Sequence, residues 1–168
     1  MDEPSNAFEI RKDLSDLVTE LPKVSEGLAH GAIADRFSND NRYDESRDSL
    51  AMNNTKAASY LLYLAESHKA KSEVTLIGVI IHHAMRMSGP LPIVTEKTIK
   101  EVDREYNLNK DLYSFSHYDR IKHSNPGIYE IIKKFSLQTE DIEISMKVLT
   151  LFYRVFERQA ELNKMKIS

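Results

Sequence analysis

Between Ser72 and Ser88 the chain reads EVTLIGVIIHHAMRM, and apolar residues fall on nearly every side of the helix this stretch would form. Val74, Ile77, Ile81, Ala84 and Met85 line one face, while Leu76, Val79 and His83 lie near the other, so little is left to meet water. A helix of that kind belongs inside. Ser72 suits the N-cap, Glu73 suits the positive end of the helix dipole, and Gly89-Pro90 is a stop signal. The pattern predicts a buried central helix over 73–88.

Several other segments have one-sided patterns. Ile10, Leu14, Leu17, Val18 and Leu21 recur at helical spacing before Pro22, and Val24, Leu28, Ala32 and Phe37 outline a second amphipathic helix. Residues 38–49, SNDNRYDESRDS, offer almost nothing to bury and read as a polar loop. A helix capped by Asn53 or Asn54 runs to about Lys71. Thr95 caps another, with Ile99, Val102 and Tyr106 inward; a further one extends from Lys110 to about His123, and Pro126 opens the next. Thr139 caps the last and longest. No stretch alternates as a strand would. The expected fold is all-α: a single domain over 1–168, built as a compact multi-helix bundle of about seven or eight helices around the central one.

The last helix carries two apolar stripes. Ile142, Met146, Leu149, Tyr153, Phe156 and Ala160 form one, and Ile144, Val148, Leu151, Val155 and Leu162 form another about 200° away. Only Glu143, Lys147, Thr150, Arg154, Glu157 and Glu161 make a polar strip, spaced to suit an exposed face. Since the central helix already claims the interior, the second stripe is expected to be an interface, most simply that of a homodimer. A second buried helix within one chain is the alternative.

Residues 95–122 have the layout of a helix-turn-helix. Ile99, Val102 and Tyr106 supply packing, Asn107 the left-handed turn position, Leu108 the apolar anchor and Asn109 the next cap. The second helix would then present Lys110, Tyr113, His117 and Arg120 to duplex DNA. On this register Asp119 and Lys122 fall near the inner Leu112 and Phe115 line, and Ile121 points outward, which is an imperfect inner face. Residues 95–135 also hold eight basic and seven acidic side chains, a weak balance for a phosphate-binding surface.

Composition narrows the chemistry. Without cysteine there is neither disulfide nor thiolate, which fits a reducing compartment and a cytoplasmic protein. The apolar run around Ile77 to Ile81 is too short to span a bilayer, so no membrane partner is expected. The formal charge of −3 gives no general attraction to nucleic acid. His82 and His83 are about 100° apart on a helix and cannot comfortably ligate one ion, and neither has a carboxylate one turn away. No metal, cofactor or catalytic set is expected, and an enzyme is the least supported class. The sequence points to a non-enzymatic regulatory or adaptor-type interaction protein, self-associating through its last helix. The alternative is a DNA-binding regulator using 95–122.

Overall fold

The computed structural model describes residues 41–70, 72–88, 91–108, 118–123, 126–137 and 139–167. The helices expected at 6–21 and 23–37 lie outside these residues. Among the described residues the regular secondary structure is helix, with no strand: α1 (Asn41–Asn53), α2 (Thr55–Ser67), α3 (Ser72–Ser88), α4 (Glu96–Leu108), helical backbone at 118–123 that we term α5, α6 (Pro126–Ser136) and α7 (Ile142–Ile167). The all-α bundle is as expected. α3 is its centre: Val74, Ile77, Ile81 and Met85 are buried on one side, and Leu76, Val79, Ile80 and His82 on the others.

α7 is the second enclosed helix. It packs on α2, α3, α4 and α6, and Val148, Leu149, Leu151, Phe152, Tyr153, Val155 and Phe156 are all buried within the one chain. The two-stripe pattern is therefore satisfied internally. Val148, Leu151 and Val155, expected at an interface, are fully covered by the chain itself; Ile144 and Leu162 are half-buried. The reason lies in the layout. α3 and α7 pack on each other, and the remaining helices cover both: α1, α2 and α6 enclose α3, while α2, α4 and α6 enclose α7.

The 38–49 stretch corrects a second expectation, because α1 begins at Asn41. Its sequence is polar because, among residues 44–53, those deeply buried are Ser46 and Leu50, four apart on one narrow face, in a helix that packs on α3. Docking, rather than amphipathicity, makes this helix. α2 stops with Lys69 in the left-handed region, φ 58°, where the Lys69 and Ala70 N–H groups donate to the carbonyls of Glu66 and Ala65. That pairing satisfies the last carbonyls of α2 and turns the chain towards α3.

Two side chains hold the 91–95 segment. Asn54 stands at the N-cap position of α2 without capping it; its Oδ1 accepts from the Val94 N–H at 2.9 Å, and its Nδ2 donates to the Pro92 carbonyl at 2.9 Å. From the other side, the buried Gln159 on α7 accepts from the Thr95 N–H and from the hydroxyls of Thr95 and Thr98. Thr95 itself caps α4 through the Thr98 N–H, as expected. For α7 the cap is Asp141, which accepts from the Ile144 N–H at 3.1 Å; Thr139 instead binds the Ser136 carbonyl and the Ser145 hydroxyl.

Candidate interaction site

α4 is amphipathic because Thr98, Val102 and Tyr106 repeat every four residues along one buried side. One step round the helix stand Glu101 and Glu105, also four apart. On α7, Arg154 and Arg158 share the same spacing. The two ladders face each other across the α4–α7 seam.

Arg154 is 8% exposed and grips Glu105 with two nitrogens, Nε at 3.3 Å and Nη2 at 3.4 Å. Its third nitrogen, Nη1, donates to Glu157 at 3.0 Å and reaches Glu161 at 3.4 Å. Arg158 donates to Glu101 through Nε and Nη2, at 3.2 and 3.1 Å, and to Glu161 through Nη1 at 3.2 Å. Burial disfavours the charged form of both guanidiniums. The carboxylates outweigh it, with the hydrogen bond donated to Glu105 foremost for Arg154 and that donated to Glu101 foremost for Arg158, so both pKa values move up and both groups stay cationic. Arg120, from α5, completes the network with an ion pair to Glu157 at 2.6 Å.

The network changes how the polar strip of α7 is understood. Thr150 and Arg154 are buried, not exposed, and the strip joins α4 and α5 to α7. Nothing local in the α7 sequence shows this, since Glu105 is 49 residues away from Arg154. The matching four-residue spacing of glutamates on one helix and arginines on another was the available signal.

Beside the network lies a cleft of about 410 Å³ lined by Glu105, Arg154, Arg158, Val102, Leu108 and Arg104. Leu108, expected as the apolar anchor of a helix-turn-helix, is 73% exposed at its rim. Arg104 is exposed and makes no ion pair among the described residues. The cleft therefore offers an apolar contact and a cation beside a wall of three arginines and four glutamates, which carries one net negative charge.

The DNA-contact candidates divide. Lys110, Tyr113 and His117 lie outside the described residues. Arg120 is directed to Glu157 on the body of the bundle. The inner face of α5 is better than the sequence suggested, since Ile121 is buried while Asp119 and Lys122 are exposed. Among the described residues no group of three or more acidic or histidine side chains is placed to hold a metal. None of the described helices is long and apolar enough to cross a membrane.

No family profile, no curated protein and no solved structure matches this chain. The fold defines a class only, an all-α helical bundle with two enclosed helices. Function has to be argued from the surface.

Proposed function

We propose that the protein is a non-enzymatic interaction module that receives a protein partner at the α4–α7 cleft. The observation that supports this reading is Leu108, a large apolar side chain exposed beside Arg104, which makes no ion pair among the described residues, on a wall built by the arginine–glutamate network. Isolated surface leucines are ordinary, but one bordering a preformed cleft with an available guanidinium has the make-up of a binding anchor. The partner would offer an apolar side chain to Leu108 and a carboxylate to Arg104. Site-specific photo-crosslinking from position 108 tests this. A discrete adduct that disappears in Arg104→Glu supports the reading, and an adduct of twice the chain's mass identifies the partner as a second copy. Absence of an adduct, or one indifferent to Arg104, overturns it.

Duplex DNA is the second reading. It is favoured by the inward Ile121, which leaves Lys122 and His123 exposed on the outer side of α5. Binding with a steep salt dependence that weakens in Lys110→Ala would support it. No binding at low salt ends it.

A further inference from the structure

One residue, Asn54, joins α1 to α2. The buried positions of the two helices nevertheless keep a single phase. Ser46 and Leu50 on α1 and Ala57, Leu61 and Leu64 on α2 follow one another at helical intervals, the stripe of a continuous helix over 41–67. Helical backbone bonding also reaches the joint from both sides. The Asn54 N–H donates to the Leu50 carbonyl at 3.1 Å, and the Ala58 N–H donates to the Asn54 carbonyl at 3.0 Å.

What bends the chain is a tertiary contact. Asn54 sits at φ −140°, ψ 54°, outside the helical region, and its side chain gives α2 no cap bond because both ends of the amide are engaged by Pro92 and Val94. Straightening the joint breaks those two bonds. In return the N–H groups of Thr55, Lys56 and Ala57 gain the carbonyls of Ala51, Met52 and Asn53 as helical partners. The residues on either side of Asn54, from Ala51 to Asn53 and at Thr55 and Lys56, are exposed, so the core does not resist the change there.

α1 meets α3 through a contact that any copy of α1 can make. The buried Ser46 hydroxyl donates to the Val79 carbonyl at 3.2 Å and accepts from the His82 Nδ1–H at 2.7 Å. As the first of the described helices, α1 is linked along the chain to the others through Asn54.

We propose that α1 is an exchangeable arm: two copies of the chain associate when each straightens at Asn54 and lays its α1 on the α3 of the other. A second copy is the occupant that fits the vacated face, because its α1 carries the same Ser46 and Leu50 and reproduces the α1–α3 interactions. Only the joint differs between the two forms. The bonds from Asn54 to the 92–94 segment favour the bent monomer, and the continuous helix favours the dimer. The arm uses elements other than those of the α4–α7 cleft, so the two sites stand or fall separately.

Two variants drive the joint in opposite directions. Asn54→Ala removes the anchor and favours helix, so its association constant should exceed that of wild type by roughly tenfold or more. Thr55→Pro should remain a monomer: proline suits the first position of α2 and holds the preceding residue out of the helical region, whereas in a straight helix its ring meets the Ala51 carbonyl. Light scattering reads both, after refolding from urea at concentrations up to the millimolar range so that arms can exchange. In the dimer, isotope-filtered NMR on mixed labelled and unlabelled chains should place the His82–Ser46 contact between chains. If Asn54→Ala does not fold, wild type decides by showing a dimer that Thr55→Pro lacks. Three results would overturn the proposal: a mass of 19.3 kDa for both wild type and Asn54→Ala at every concentration; equal dimerisation by Thr55→Pro; or a dimer in which the His82–Ser46 contact stays within one chain.

Discussion

Arg120 and Glu157 meet at 2.6 Å, and through that contact α5 is tied to the middle of α7. Glu157 also accepts from Arg154, so one largely buried carboxylate serves two guanidiniums from two helices. A surface pair would contribute little, but this carboxylate is 12% exposed and its partners hold it away from water.

Removing Arg154 should be far more costly than removing Arg120. Arg154→Ala leaves Glu105 and Glu157 facing one another without their shared cation, at a cost of about 3 kcal/mol, whereas Arg120→Ala, at a more exposed group, costs about 1 kcal/mol. Urea denaturation measures both. In the double variant Arg154→Met with Glu157→Gln the loss should be smaller than the sum of the single losses, because the stranded charge is gone. Additive losses would show that the two residues are not energetically coupled.

Acid should weaken the fold through His82. Its pKa is about 6.5 in the unfolded chain and about 3 in the folded one, with burial the principal cause and Arg86 and His83 next. A lowered folded value means that the unfolded state binds the extra proton first. The contribution is complete above pH 6.5 and declines by about 1.4 kcal/mol per pH unit as pH falls from 6.5 towards 3. Melting curves at pH 7 and pH 5 for wild type and His82→Gln check this, since the variant should lose less stability between the two values. Parallel curves would place His82 in a more solvated state than its 2% exposure implies.

Ile81→Asp should abolish folding. Ile81 is fully buried at the centre of α3, and an unpaired carboxylate there costs several kcal/mol, roughly the whole stability of a domain this size. Circular dichroism of the purified variant, if it melts as wild type does, would refute the placement of the core. Arg86→Ala, at an exposed position on the same helix, is the mild control.

Gly78→Ala sets two effects against each other. A methyl in the interior of α3 gains about 0.5–1 kcal/mol of helix preference over glycine. A Cβ at Gly78, however, would come within 2.6 Å of Leu61 Cδ2 and 3.3 Å of its Cγ, and Leu61 is itself enclosed in the core. Overpacking of this sort costs about 1–3 kcal/mol, so the variant should be less stable on balance. Adding Leu61→Val should restore part of the loss in the same denaturation assay, because it withdraws the obstructing atoms.

Elements that bury a wide apolar surface could be recognised from the sequence alone. α3 and α7 declared themselves through Ile77, Ile81, Phe152 and Phe156, because burial selects apolar types whatever they touch. α1 did not, since its Ser46 is held by Val79 and His82, more than thirty positions further along the chain. Arg154 was hidden for a related reason: an arginine has the same letter whether it faces water or Glu105. Val148, Leu151 and Val155 were correctly seen to need cover. Which molecule supplies it is a matter of how many helices surround α7, and that number is a property of the assembled chain.

α7 follows every helix it packs against in the order of the chain. During synthesis, therefore, the inner sides of α2, α3, α4 and α6 emerge before the helix that covers them, and Leu61, Ile81 and Ile131 wait without their final neighbours. The nascent protein passes through an interval in which its greasiest surfaces are uncovered, and holdase chaperones have their clearest opening then. Stalling the ribosome just before Ile142 is released should give a species that aggregates or stays chaperone-bound, while a stall after Ile167 has cleared the exit tunnel should yield a protease-resistant chain.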